Sequence, residues 1–441
     1  MSKKLRIIPA ILSLVILWVA ASPQASKPDS ELLGRLKALP GVVEVKATRF
    51  DEKQFKEAYE IMIDQPLDHR NPQGEKFRQR FFVFHIDFAK PVLLETAGYA
   101  AGRSGGGELT RILAGNQVTV EHRFFGRSVP SPLKWEYLNI KQSADDLHAI
   151  VAALKTLYPG KWVSTGSSKG GQTTLFYKTF YPDDVDASVP YVAPINIAQE
   201  DPRIYIFLQN VGDAEARARI KDYQISMFKR EDEILPLVKA LAEKKNWTFS
   251  MGVSEAYEYG VLEYPFAFWQ YGSVKPTDIP APDAPPEKLF EHLSKTNAIY
   301  YYSDQGKKAF EPFQYQAFTE IGYYNYDITD FKEHMKSLKN PTNQVLCPKD
   351  AKIVYDPAPM ANVYHYLQYK GDHIIYIYGE LDPWSSTAIQ LIGRTDAVKI
   401  VVKNGYHGSR VRDFTPEQKE LFYSTLERWL GLTLTRLEDQ R

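Results

Sequence analysis

The sequence predicts an α/β fold: a parallel sheet covered on both faces by helices and interrupted once by a large helical insertion. Three observations carry this. Short β-branched and aromatic runs alternate with helical stretches between residues 59 and 192, and strands resume at 373. From about 196 to 372 the alternation stops, and the chain becomes helical, aromatic and loop-rich. At 161–180 an apolar run, a glycine-flanked turn and a helical stretch follow without a gap.

Residues 30–50 have mixed polarity and predict a small surface helix and strand. Residues 59–64 (YEIMID) and 77–85 (FRQRFFVFH) predict the first two sheet strands, with turn chemistry at 67–72 between them. Residues 92–96 (VLLET) and 117–122 (QVTVEH) predict the third and fourth. Ser143 reads as the N-cap of a helix running to about Leu157, with Asp145 and Asp146 in its first turn. Residues 161–165 predict the strand before the glycine-flanked turn. A helix is expected after it, from Gly171 to about Phe180, and another strand at 186–192. Residues 373–378 (HIIYIY) and 397–402 (AVKIVV) predict the last two strands.

The chain therefore divides into a first core part at 22–195, a helical cap at 196–372 and a second core part at 373–441. Five prolines within 276–286 mark a rigid loop inside the insertion. The chain leaves and re-enters the sheet at its carboxyl edge, where ligands bind in open α/β sheets. The insertion is expected to cover that edge; an independent domain elsewhere is the competing arrangement.

With 441 residues, 44% of them hydrophobic and 24% charged, the chain is long enough for a large core and a second lobe. Lys3, Lys4 and Arg6 precede an apolar run over 7–21 that ends in Val19-Ala20-Ala21. This predicts a secretory signal peptide at 1–21 and a secreted or periplasmic product. The run is short and broken by Pro9, so a membrane anchor is the weaker reading. The formal net charge of 0 becomes about −3 when the three basic residues leave, which gives no basis for nucleic-acid binding. Cys347, the single cysteine, excludes an intrachain disulfide, and its Leu346-Cys347-Pro348 setting points to a structural thiol. Neither H-E-x-x-H nor C-x-x-C occurs, so no metal site and no cofactor are expected.

The turn Gly166-Ser167-Ser168-Lys169-Gly170 matches G-x-S-x-G, the nucleophile elbow of α/β-hydrolases. Only Ser168 has glycines two residues to either side. A serine hydroxyl needs an imidazole to take its proton, and a carboxylate to fix the imidazole's tautomer and stabilise the imidazolium. The fold supplies these in the order Ser, Asp, His, on loops at the same sheet edge. Asp382 follows the strand at 373–378 and His407 follows the strand at 397–402. The catalytic set is thus Ser168, Asp382 and His407, in an α/β-hydrolase fold with a large inserted helical cap.

An oxyanion hole needs backbone N–H groups aimed at the developing charge, worth about 2.7–4 kcal/mol each. The residue after the nucleophile, Lys169, supplies one. The glycine-rich loop 97–107 after the third strand supplies the other, through Tyr99, with Gly98 holding the turn open. That loop lacks G-x-G-x-x-G and a P-loop lysine, so a phosphate cradle is the weaker reading; a flexible solvated loop also competes.

Several stretches carry a family likeness. Residues 120–128 (VEHRFFGRS), 166–171 (GSSKGG), 191–194 (YVAP) and 268–271 (FWQY) resemble the bacterial secreted tripeptidyl aminopeptidases of the serine peptidase clan. Residues 65–69 (QPLDH), 79–83 (QRFFV), 319–322 (TEIG) and 381–384 (LDPW) resemble, more distantly, the prolyl carboxypeptidase and dipeptidyl peptidase II family. The likeness runs from about 59 to 429, and Lys169 favours the first family. It implies exopeptidase activity on peptides with a free amino terminus, and it carries the triad onto Ser168, Asp382 and His407. There are two departures. Ala97 stands where an acid is expected before the Gly98-Tyr99 pair, with Glu95 two residues earlier, and the disulfide cysteines of some relatives are missing.

An exopeptidase must hold an ammonium at a fixed distance from its nucleophile, which calls for an enclosed carboxylate. Glu263 and Glu320, each set among aromatics in the insertion, are the expected amine-binding acids. Glu200 and Asp201 are weaker candidates. Phe266, Phe268, Trp269, Tyr323 and Tyr324 are candidates to line a pocket for proline or apolar side chains. The expected partners are peptides, and the expected activity is release of short peptides, tripeptides first. A dipeptidyl or post-proline peptidase, an esterase of the same fold and a non-catalytic binding protein are the alternatives.

Overall fold

The computed structural model describes residues 30–102, 105–296 and 298–437. The expected signal peptide at 1–21 lies outside the described residues, as do Arg103 and Ser104 of the glycine-rich loop.

Nine strands form one mixed sheet: β1 (Val42–Ala47), β2 (Glu57–Pro66), β3 (Lys76–His85), β4 (Val92–Thr96), β5 (Asn116–Val120), β6 (Trp162–Ser167), β7 (Ala187–Tyr191), β8 (Ile374–Gly379) and β9 (Ala397–Val402). Their spatial order is β1-β2-β3-β5-β4-β6-β7-β8-β9. From β5 to β9 every neighbouring pair is parallel. The expectation of a wholly parallel sheet is corrected at the other end, where β1, β2, β3 and β5 pair antiparallel. Strands β2 and β3 are joined by a short turn closed by Leu67 N–H to the Glu75 carbonyl at 2.8 Å. A connection that short returns the chain antiparallel, because a parallel partner needs a crossover of a dozen or more residues.

Alternate residues of each central strand enter different cores, as the period of two requires. Leu94 packs with Leu147, Ile150 and Val151 of α3 (Ile140–Lys155) and with Leu32 and Leu36 of α1 (Glu31–Lys37). Leu93 packs with Leu109 and Ile112 of α2 (Glu108–Leu113) and with Phe422 and Leu426 of the C-terminal helix Pro416–Leu430. The inner strands are buried on both sides, which explains their unbroken apolar runs.

Helix α3 begins three residues before the expected cap. Asn139 is its N-cap, accepting from the Gln142 N–H at 2.9 Å, while the Ser143 hydroxyl returns to the Asn139 carbonyl. Helix α4 (Lys169–Phe180) begins directly after Ser168, two residues before the expected start.

Between β7 and β8 the chain forms α5 (Pro202–Leu208), α6 (Ala214–Lys229), α7 (Glu231–Lys245), α8 (Val253–Tyr271), α9 (Pro286–Ser294) and α10 (Asp304–Gln316), followed by a π-helical turn at Ala317–Ile321. Tyr223, Met227, Ile234, Tyr257, Tyr264 and Leu289 form a core of their own. Helix α8 contains Pro265, which has no N–H for the Val261 carbonyl; Gln224 Nε2 donates to that carbonyl at 2.8 Å instead. Helix α11 (Ala358–Tyr369) belongs with the sheet, a correction to the cap boundary at 372. Its Met360, Val363 and Leu367 pack on Ile374 and Tyr376 of β8 and on Leu175 of α4. Its composition matches the insertion's helices, and only its partner distinguishes it. The C-terminal helix is α12. Among the described residues no helix is long and apolar enough to cross a membrane.

Candidate active site

Ser168 sits between β6 and α4 with φ 57° and ψ −124°, a conformation that disfavours a side chain and persists only when surroundings enforce it. Its N–H donates to the Tyr191 carbonyl and its carbonyl accepts from the Gln172 N–H, both at 2.9 Å. The flanking glycines are required by close approach. A Cβ on Gly166 would lie 2.3 Å from the Gly170 backbone, and one on Gly170 would lie 2.5 Å from the Thr96 carbonyl oxygen. Ser167, excluded by register, accepts a hydrogen bond from Arg410 at 3.2 Å.

Asp382 follows β8 and is fully buried. Its Oδ2 lies 2.7 Å from Nδ1 of His407, on the loop after β9, and its Oδ1 accepts from the Trp384 N–H at 3.2 Å. Nδ1 is thereby engaged and Nε2 is the free nitrogen. His407 and Ser168 line one cavity of about 300 Å³. The three residues expected from sequence therefore meet at one sheet edge. A larger surface groove of about 980 Å³, lined by Trp162, Asp186, His373 and Trp429, lies at the strands' starts and holds none of them.

Tyr99 and Lys169 also line the cavity. Lys169 is the first residue of α4, where N–H groups have no intrahelical partner. The loop carrying Tyr99 rests directly on the elbow: Gly98 has φ +73°, and a Cβ there would lie 2.4 Å from the Gly170 nitrogen. Buried Glu121 fixes the loop from beneath, accepting from the Ala101 N–H at 3.0 Å and from Arg80, and the Tyr99 carbonyl accepts from the His122 N–H at 3.1 Å. The Lys169 side chain is buried, its Nζ 5.7 Å from the Tyr99 ring centre and 5.5 Å from that of Phe125. Burial lowers its pKa to about 7, with the Glu320 charge acting the other way.

The two expected amine-binding acids part company. Glu263 of α8 lines the cavity and accepts from the hydroxyls of Tyr324 and Tyr326, each at 2.8 Å. Burial raises its pKa to about 7 against the pull of those hydroxyls. Glu320 is not among the cavity's lining residues, which corrects its expected role. Its carboxylate accepts from the Ile140 N–H at 2.6 Å, anchoring the start of α3, and burial raises its pKa to about 8. Both acids sit among aromatics in the sequence, and only the tertiary packing tells them apart. Asp201 caps α5 and pairs with Arg203 at 2.7 Å, while Glu200 accepts from Asn325 at 3.2 Å.

Of the expected aromatics, Phe266, Tyr323 and Tyr324 line the cavity, whereas Phe268 and Trp269 belong to the insertion's own core. Sequence reasoning missed Tyr301, Phe310, Phe313 and Trp384 on the cavity wall, and Tyr326 beside Glu263. Phe310 and Phe313 fall at helical spacing, the one signal available. Gln270 was missed for a better reason: its contribution is a backbone carbonyl, which accepts from the His407 N–H at 2.9 Å.

The stretch 120–128 turns out to be a brace. Arg123 and Asp146 are both buried and pair through two bonds of 2.7 Å, and Arg123 also donates to the Leu67 and Tyr137 carbonyls. Cys347 is buried, its thiol pushed up to about 12 by burial. Among the described residues no cluster of three metal-ligating side chains occurs.

The sequence profile of one family, PS-10 peptidase S37, matches residues 25–440. The chain is 31% identical over 427 residues to the prolyl tri/tetrapeptidyl aminopeptidase of Streptomyces mobaraensis, covering 94% of this chain and 88% of that one. Among solved structures it is similar to a proline iminopeptidase of Mycobacterium smegmatis, at 11% identity and a TM-score of 0.39 over 84% of this chain and 97% of that chain. It is also similar to an α/β fold family hydrolase from Bacillus anthracis, at 14% identity and a TM-score of 0.34 over 84% of this chain and 98% of that chain.

Proposed function

The chain belongs to the PS-10 peptidase S37 family and is a serine peptidase of the aminopeptidase type, and from that premise we propose that it releases tripeptides from free amino termini through a Ser168–His407–Asp382 triad. The observation that carries this reading is a buried carboxylate, Glu263, in the cavity that also holds Ser168 and His407.

In this reading His407 Nδ1–H donates to Asp382, so Nε2 takes the Ser168 Oγ proton as Oγ bonds to the substrate's carbonyl carbon. The oxyanion receives the N–H groups of Lys169 and Tyr99. The tetrahedral adduct collapses, His407 passes its proton to the leaving amine, and the C–N bond breaks, leaving the peptide esterified to Ser168. A water deprotonated by His407 adds to the ester and returns Ser168 to its resting form. The substrate ammonium pairs with Glu263, whose oxygens are already oriented by Tyr324 and Tyr326. The insertion covers the edge as a cap and excludes internal segments of long chains. Residues 1–21 direct the protein to the secreted or periplasmic space.

The rings of Phe266, Tyr301, Phe313 and Trp384 favour proline at the cleaved bond, in line with the prolyl specificity in the relative's name. The test is mass spectrometry of products from a peptide library with free and acetylated amino termini, alongside short acyl esters. Tripeptides from free termini only are expected. Equal cleavage of acetylated peptides, or turnover of esters alone, overturns the reading.

A further inference from the structure

The side chain of Lys169, next to the nucleophile, has no part in the steps above. It is buried, and Lys169 belongs to the wall of the catalytic cavity together with Ser168 and Tyr99. Among the described residues its ammonium makes no ion pair and no hydrogen bond. It lies instead 5.7 Å from the ring centre of Tyr99 and 5.5 Å from that of Phe125. The two rings meet edge to face, 5.4 Å apart at 85°, so cation and rings close a triangle. Its corners come from three segments: the first turn of α4, the loop after β4 and the turn that follows β5. Among the described residues neither the Lys169 N–H nor the Tyr99 N–H donates a hydrogen bond. Lys169 thus offers one free N–H itself and sets its ammonium against the ring of the residue that offers the other.

We infer that the Lys169 ammonium is a positioning group for the oxyanion hole: seated against the Tyr99 and Phe125 rings, it fixes the Tyr99 loop on the elbow and leaves an uncompensated positive charge on a residue of the cavity wall. The inference rests on the oxyanion roles proposed above for the Lys169 and Tyr99 N–H groups. A buried cation without a counter-charge is costly, and ring faces offset only part of that cost. A negative charge that appears in the same cavity offsets more of it, and appears only as the substrate carbonyl becomes tetrahedral. An interaction that strengthens in the transition state raises kcat rather than ground-state binding. Burial draws the ammonium's pKa down to about 7 against the Glu320 charge, and an anion in the cavity moves it back up. His122, the imidazole whose titration Lys169 also affects, is kept neutral by its own burial.

The experiment compares wild type with Lys169→Met, which keeps an unbranched side chain and removes the charge, and with Lys169→Arg, which keeps the charge. Phe125→Leu removes one ring and leaves Ser168, Lys169 and Tyr99 in place. Each is assayed on one peptide nitroanilide with a free amino terminus. Each is also titrated with a peptide boronic acid, whose adduct with Ser168 is a tetrahedral anion, and with the matching peptide alcohol, which forms no anion. Lys169→Met should lower kcat and boronate affinity together by roughly ten- to thirtyfold, the scale of a desolvated cation on aromatic rings. KM and alcohol binding should stay close to wild type, a split that a misfolded variant cannot show. Lys169→Arg should recover most of both losses, and Phe125→Leu should fall between Lys169→Met and wild type. If Lys169→Met keeps kcat within about twofold of wild type, the inference falls while the oxyanion N–H groups stand. Equal losses of boronate and alcohol binding, or an Arg variant no better than Met, have the same consequence. If wild type and Ser168→Ala bind the boronate equally well, the underlying reading itself is overturned.

Discussion

The backbone N–H of His407 donates to the carbonyl of Gln270 at 2.9 Å, so the loop that carries the imidazole hangs from the last turn of α8. Asp382 fixes the same residue from the sheet side, through Nδ1 at 2.7 Å. His407 is thus held between the second core part and the insertion. Packing changes in α8 are therefore expected to reach the histidine as well as the peptide's amino terminus.

Ser168→Ala should abolish turnover while leaving the fold and the melting temperature close to wild type, because the hydroxyl supports little packing. Removing a triad member costs factors of about 10⁴ or more. Retention of a tenth of wild-type kcat/KM, with unfolding followed by circular dichroism as the control, would show that the nucleophile lies elsewhere.

Gly98→Ala tests the contact between the oxyanion loop and the elbow. The new methyl would meet the Gly170 nitrogen at 2.4 Å at a position with φ +73°, so the loop must move away. The expected result is a fall in kcat of about 10²–10³, the cost of losing one oxyanion donor, with KM changed much less. A normal kcat with an intact fold would remove Tyr99 from the site.

The preference for a free amino terminus should depend on pH through Glu263. Burial holds its pKa near 7, so the empty site carries a carboxylate above that value and a neutral acid below it. A peptide amine, with an ordinary pKa of about 7.7–8.0, is cationic below that range. The ratio of kcat/KM for free over acetylated peptides should therefore be greatest between about 7 and 8 and fall as pH drops through about 7. Glu263→Gln should flatten this dependence, whereas Glu320→Gln, altered outside the cavity, should keep it. The stability effect has the opposite sense. A carboxyl whose folded pKa is raised favours folding fully below the unfolded value, and that advantage is lost as pH rises through about 7. Melting curves at pH 5 and 8 should show Glu263→Gln gaining on wild type at the higher pH; the reverse order would place a structural counter-charge beside Glu263.

Arg123→Ala should unfold readily. It strips buried Asp146 of the guanidinium and leaves it only the His69 Nε2 at 2.7 Å, and breaking a buried ion pair costs about 3–5 kcal/mol. Urea titration measures it directly, and a loss under about 1 kcal/mol would mean that water or another cation replaces the guanidinium.

Much of the architecture was legible because it rests on short-range rules. The unbroken apolar runs at 187–191 and 374–379 mark strands buried on both faces, and glycines two residues either side of Ser168 mark a turn that no side chain at those places permits. The meeting of Ser168, Asp382 and His407 followed from those same elements, since loops after parallel strands share one edge. The antiparallel end of the sheet was not legible as such, because a hairpin and a crossover begin with identical strand patterns. The start of α3 at Ile140 was missed because Asn139 and the distant Glu320 together satisfy its first N–H groups.

By itself, the sequence determined the periodicity of its elements, the tight turn at Ser168 and the placing of Asp382 and His407 just after strands, each of which depends on residues near one another in the chain. The tertiary structure alone decided which of Glu263 and Glu320 faces the cavity, which aromatics line it, where α11 packs, and that a backbone carbonyl of α8 holds the histidine loop. These depend on the direction of side chains and backbone groups across tertiary contacts, many of them between residues far apart in the chain, and local pattern carries no information about such directions.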